Sequence, residues 1–211
     1  MQNKILKIIE LLEREYPLTF FSRQKPFHVL ISTIVSQRTK DENTIKASKK
    51  LFSKFPTARK IANANLAEIK NLIKESGFYN IKAKRIRNVS KILLNEYNGR
   101  VPHELDKLLL LPGVGRKTAN CVLVYGFNIP AIPADTHVHR ISNRLGVVKT
   151  KTPEQTEHEL MGKIPRKYWI KINELFVKHG QTICNPIRPK CDKCVVSKLC
   201  DFKKYQKIFK R

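Results

Sequence analysis

Apolar residues recur at helical spacing along almost the whole chain, and this period constrains the fold class more than any other feature. Ile5, Ile8, Ile9 and Leu12 form one stripe, and Phe27, Leu30, Ile31 and Ile34 the next. Leu66, Ile69 and Ile73 follow, then Ile86, Val89 and Leu93. Ala119, Val122, Leu123 and Gly126 continue the pattern, as do Val138, Ile141 and Leu145, then Trp169, Ile172 and Phe176. Side chains three and four residues apart share a helix face, so each set can bury one side. No segment sustains the alternation of a half-buried strand. The connections are short and punctuated: "FPTA", "SGFYN", "YNGRVP", "LPGVG", "NIPAIPA", "KIPRK". The pattern predicts an all-α fold of about ten helices joined by short loops. In "NIPAIPA" two prolines hold the chain extended and stiff, which makes it a candidate domain boundary. Beyond Gly180 the character changes to loop, proline and cysteine.

A chain of 211 residues fits one large domain or two small ones. Its charge is very unequal: 42 Lys and Arg oppose 17 Asp and Glu, a formal net charge of +25. Such an excess repels itself unless a polyanion or counterions offset it. Lysine-rich surfaces of thermophiles carry matching Glu for ion-pair networks, and this chain lacks them. The imbalance points to a nucleic acid partner, with a salt-dependent phosphate contribution to affinity. No segment approaches the roughly 18 apolar residues of a membrane-spanning helix. The start, "MQNKILKIIELLEREYP", reads as an amphipathic helix and not a signal peptide. An intracellular protein with reduced cysteines is expected.

"CNPIRPKCDKCVVSKLC" holds Cys184, Cys191, Cys194 and Cys200 in the spacing C-x6-C-x2-C-x5-C. Four thiols this close in a basic intracellular chain point to a bound metal. Structural zinc favours two close pairs, and only one exists here, so zinc and an iron–sulfur cluster both remain open. Cys121 lies alone on an apolar segment and is expected as a small buried hydrophobe.

"LPGVGRKT" invites comparison with phosphate loops. Arg116 separates the last glycine from Lys117, which excludes a Walker A loop, and Thr118 stands where a dinucleotide fingerprint needs glycine. What remains is a helix, a glycine turn and a second helix. The turn amides of Gly113, Val114, Gly115 and Arg116 can hold a backbone phosphate, or the turn can be an ordinary connection. Lys117 falls at the positive end of the second helix, which favours the neutral amine that nucleophilic attack requires. Asp135 reads as the N-cap of "THVHRISNRLG". An aspartate can cap through one oxygen and keep the other for chemistry.

The "LPGVG" turn, Lys117, the Pro-rich linker, the "DTH" at Asp135 and the four-cysteine tail occur together in an order that resembles the endonuclease III family. That family belongs to the helix-hairpin-helix DNA glycosylases. The resemblance runs over nearly the whole chain and includes "SQRTKDENT" and "GFYNIKAKRI". It implies two helical domains flanking a DNA-binding cleft. Residues 18–130 would form a six-helix barrel-like domain with the helix-hairpin-helix at about 105–125, and residues 1–17 with 131–211 a second domain. The second domain would hold one 4Fe-4S cluster on Cys184, Cys191, Cys194 and Cys200.

The implied activity is that of a bifunctional DNA glycosylase and abasic-site lyase for oxidised pyrimidines. Lys117 would attack C1′ of a flipped nucleotide, and Asp135 would assist. Gln37 and Phe78 match the side chains inserted into the duplex, with Phe78 where many relatives carry Leu. Phe78 can also be read as a plain core aromatic, and Lys82, Lys84, Arg85 and Arg87 as a solvated helix face. Arg188 and Lys190 would meet phosphates. The implied partner is double-stranded DNA with damaged bases or abasic sites, bound by a monomer in the cytoplasm or nucleoid, with no membrane. The competing readings are a non-catalytic helix-hairpin-helix DNA-binding protein, a zinc-binding nucleic-acid module, and a related glycosylase for mismatched or oxidised purine bases.

Overall fold

Twelve α-helices, numbered α1 to α12 in chain order, and no strand occur among the described residues of the computed structural model, 2–18 and 24–208. The chain divides into two compact units, Arg23–Ile129 and the pair of segments Met1–Ser22 and Pro130–Arg211.

The unit Arg23–Ile129 contains α2 (Pro26–Ser36), α3 (Asp41–Lys54), α4 (Ala58–Asn63), α5 (Leu66–Leu72), α6 (Tyr79–Tyr97), α7 (Leu105–Leu109) and α8 (Arg116–Cys121). Pro26 opens α2, where its fixed φ suits the first helical turn and its missing N–H is not needed. The helix buries Val29, Leu30, Ile31, Ile34 and Val35, and packs against α3, α6 and α8. A helix apolar on most sides belongs inside a bundle. Thr57 caps α4 by accepting from the Lys60 N–H, and Asn65 caps α5 by accepting from Ala67. After Cys121 the chain continues as a π-helical turn, Val122–Gly126, with Val122, Leu123 and Val124 buried.

The second unit contains α1 (Gln2–Glu15), α9 (Thr136–Leu145), α10 (Pro153–Lys163), α11 (Trp169–Thr182) and α12 (Asp201–Ile208). Ile5, Ile8, Ile9 and Leu12 of α1 meet Val138, Ile141 and Leu145 of α9, and Ile172, Leu175 and Phe176 of α11. The cysteine segment forms two short 3₁₀ turns, Cys191–Lys193 and Ser197–Leu199, and packs against this core through Cys184, Cys194, Leu199 and Cys200.

The count exceeds the ten expected from periodicity; α4 and α7, which no apolar stripe marked, span only 6 and 5 residues. No described helix is long and apolar enough to cross a membrane. Phe176 is fully buried. Phe176→Ala should lower unfolding free energy by about 3–5 kcal/mol, read from denaturant melts.

Candidate nucleic-acid interface

The glycine turn joins α7 to α8. Leu111 N–H donates to Leu108 O at 3.2 Å, and Val114 N–H to Leu111 O at 3.1 Å. Gly113 has φ +80°, and a Cβ there would stand 2.6 Å from Cδ of Arg85. The positive φ favours glycine at Gly113, and a Cβ there would also displace the Arg85 side chain. Gly115 differs: its φ is −94° and a Cβ would meet nothing within 4 Å. The fold does not demand glycine there, and its bare backbone leaves that side of the turn open. Val114 is buried, and its N–H already closes the turn. Arg116 and Lys117 are the first two residues of α8, both half-buried. Behind them Thr118, Ala119, Asn120 and Cys121 face the interior, so Cys121 is the buried hydrophobe its surroundings suggested.

Two further turns meet this one. Gln37, just past α2, donates from Nε2 to Gly113 O at 2.9 Å, and Arg85 Nη1 lies 3.5 Å from its Oε1. Phe78 precedes α6 and is 60% exposed, so the reading of a core aromatic fails. Helix α5 ends at Leu72, and the intervening turn carries Phe78 outward. Both Phe78 and Arg38 adopt left-handed backbone, φ 59° and 51°. For side chains of this size that costs about 1–2 kcal/mol each. The Arg38 guanidinium lies 5.8 Å from the Phe78 ring centroid. A Cβ on Gly77 would stand only 3.2 Å from Arg38 O, so the two turns are in close backbone contact.

Beneath these turns lies Lys82. It is 2% exposed, which overturns its reading as part of a solvated face. Its Nζ donates to Val35 O and Thr39 Oγ1, both at 2.7 Å. Burial pushes its pKa down to about 8. A signal for this was present: Lys82 lies on the same helical stripe as Ile86, Val89 and Leu93, all buried. Lys84 is exposed, while Arg85 and Arg87 are half-buried.

In the second unit Asp135 caps α9 as its position in the sequence suggested. Its Oδ1 accepts from both His137 N and Val138 N at 2.9 Å, and Oδ2 takes no part in the cap. Cys184, Cys191, Cys194 and Cys200 line one pocket, together with Arg144 and His179. Among the described residues no three Cys, His, Asp or Glu side chains converge as a single metal ion requires. Four thiols lining one pocket are a donor set suited to zinc or to an iron–sulfur cluster.

Burial pushes the Cys194 thiol up to about 11; the Val196 backbone opposes this, and the other three cysteines add to it. Thiols so held must release protons when they take up metal. His179 is held neutral, its pKa pushed down to about 4 by burial and by Arg140. One of its ring nitrogens lies 3.1 Å from Tyr16 Oη and the other 3.6 Å from Cys194 Sγ.

Arg144 was not singled out by sequence. Its Nη1 donates to Cys184 Sγ at 3.4 Å and to Asn185 O at 2.7 Å, and Nη2 to Pro186 O at 2.8 Å. It props the loop between Cys184 and Cys191, on which Ile187, Arg188 and Lys190 are exposed. Arg188 also has left-handed backbone, φ 52°.

Residues 31–166 match the model of the HhH-GPD superfamily of base excision DNA repair proteins. The chain is 53% identical over 198 residues to endonuclease III of Thermotoga maritima, covering 92% of this chain and 93% of that one. Among solved structures, a trapped endonuclease III–DNA covalent intermediate matches with TM-score 0.90 and 32% identity, covering 98% of this chain and 99% of that one. A thermostable thymine-DNA glycosylase matches with TM-score 0.85 and 26% identity, covering 96% and 98%. A hairpin turn running into a lysine-bearing helix, a capping aspartate and a four-cysteine pocket thus accompany likeness along nearly the full length, and the chain belongs to the endonuclease III family of the HhH-GPD superfamily.

Proposed function

We propose that this protein excises oxidised pyrimidines from double-stranded DNA and cuts the strand at the abasic site it creates. The observation that carries the reading is Lys117, half-buried at the start of α8 directly behind the glycine turn. A base inside a duplex is out of reach, so the damaged nucleotide must be flipped out, at a cost of a few kcal/mol.

The neutral Lys117 amine attacks C1′, and the bond from C1′ to the base breaks. The sugar ring opens and C1′ becomes an iminium bonded to Lys117. The iminium acidifies the C2′ proton; its loss expels the 3′ phosphate and cuts the strand. The Asp135 oxygen left out of the cap serves to accept a proton and to stabilise positive charge on the sugar.

The remaining assignments follow the same reading. Backbone amides of the Gly113–Arg116 turn take a DNA phosphate, approached over the open face at Gly115, while buried Val114 holds the turn's shape. Gln37 and Phe78 fill the gap left by the flipped nucleotide. Cys184, Cys191, Cys194 and Cys200 hold one 4Fe-4S cluster, which when bound staples the loop presenting Arg188 and Lys190 to phosphates. Residues 18–130 act as the barrel-like hairpin domain and the remainder as the cluster domain. The site of action is chromosomal DNA in the cytoplasm or nucleoid, with the protein working as a monomer. The likeness to a thymine-DNA glycosylase supports a second reading, in which a mismatched base is removed. Cleavage across a panel of single-lesion and single-mismatch duplexes separates the two.

Borohydride should trap the wild-type protein covalently on a duplex bearing one thymine glycol and leave Lys117→Ala untrapped. Absence of trapping on every duplex of the panel would overturn the lyase assignment. Asp135→Asn keeps a good capping residue, so its fold should survive while single-turnover base release slows by about 10²- to 10⁴-fold. Cys194→Ser should lower bound iron per chain and visible absorbance; full iron content would remove Cys194 from the ligand set.

A further inference from the structure

We propose that Lys82 is a positioning residue whose ammonium clasps the turns carrying Gln37 and Phe78, so that both side chains enter the duplex as one rigid unit. The proposal deepens the reading above and rests on its insertion step. Its basis is a continuous set of hydrogen bonds. Lys82 Nζ donates to Val35 O, near the C-terminal end of α2, and to Thr39 Oγ1. Thr39 Oγ1 in turn donates to Gln37 O at 3.2 Å. On its own helix, the Lys82 backbone N–H donates to Phe78 O at 3.1 Å. One residue therefore touches the backbone or near neighbour of both insertion residues.

The surroundings show that the arrangement needs holding. Each turn carries one bulky residue in left-handed backbone, Arg38 and Phe78. Such strain persists only where neighbouring structure over-determines it. The last carbonyls of a helix lack intrahelical partners, and the buried Lys82 supplies a donor for one of them at the end of α2. Burying a lysine is costly because its ammonium loses hydration, and hydrogen bonds to Val35 O and Thr39 Oγ1 offset part of that cost. A hydrophobic residue would fill the space at lower cost but leave Val35 O and Thr39 Oγ1 without this donor. A well-oriented wedge matters because displacing a positioning group by about 1 Å can cost on the order of a hundredfold in rate.

The test compares a substrate that needs the wedge with one that does not. The first is a duplex with one thymine glycol and 2-aminopurine opposite, and the second a single strand with one abasic site. For Lys82→Met the expected result is a single-turnover rate on the duplex reduced about tenfold or more, with a delayed 2-aminopurine signal. Cutting of the single strand should stay within about twofold of wild type, well below that range.

Equal slowing on both substrates would make Lys82 a general structural residue and overturn the proposal, as would wild-type rates on both. Thr39→Val removes one acceptor and should show the same selective loss in smaller measure. If Lys82→Met does not fold, Thr39→Val decides, and wild-type behaviour there overturns the clasp. Gln37→Ala tests the underlying step: unchanged duplex cleavage would sink the insertion reading itself, whereas a slow Gln37→Ala beside a normal Lys82→Met sinks the clasp alone.

Discussion

Helix α2 must be buried, and much of the unit Arg23–Ile129 follows from that. Its apolar residues leave little room for a solvated face, so α3, α6 and α8 close around it. A buried helix still has to end, and its last carbonyls need donors. Here a lysine from α6 reaches Val35 O, and the chain leaves α2 through Gln37 into a strained turn. The same turn touches the glycine hairpin through the bond from Gln37 to Gly113 O. Core packing thus brings three turns together in the unit, linked by the side chains of Gln37 and Lys82.

The cysteine-bearing unit solves a different problem. A loop of prolines, cysteines and basic residues has little apolar surface of its own to bury. It is fastened by Arg144, whose guanidinium bonds two loop carbonyls and one thiol, and by packing of Cys194 and Leu199 on the helical core. Burial raises the proton affinity of the Cys194 and Cys200 thiols, so any metal bound through them would be taken up with release of protons. Both units present basic residues on irregular backbone: Arg38 and Arg188 have positive φ and exposed side chains. A charge of +25 gives such residues a common use against phosphates.

The readings that succeeded from residues alone were local ones. Asp135 as an N-cap needed only a short polar side chain ahead of a helical run. The thiol cluster needed only spacing, and the hairpin only two glycines between helical segments. Two alternative readings, Phe78 as a core aromatic and Lys82 as part of a solvated face, failed because burial depends on partners far along the chain. A phenylalanine after Gly77 is a core residue by composition, yet the path from Leu72 to Tyr79 turns it into solvent. A lysine among lysines looks solvated, though its stripe with Ile86 and Val89 marked it as inward-facing.

By itself the sequence determined an all-helical chain, its polyanionic partner, the four-thiol group and the lysine behind a glycine turn. Each rests on spacing within about twenty residues or on summed charge, and helix geometry converts spacing into faces without tertiary help. Only the tertiary structure decided that Gln37, Phe78 and Gly113 belong to one junction, that Arg144 holds the cysteine loop, and that Lys82 is buried between two turns. Those facts depend on which helix packs beside which, and on carbonyls whose need for a donor appears only once the core has closed over them.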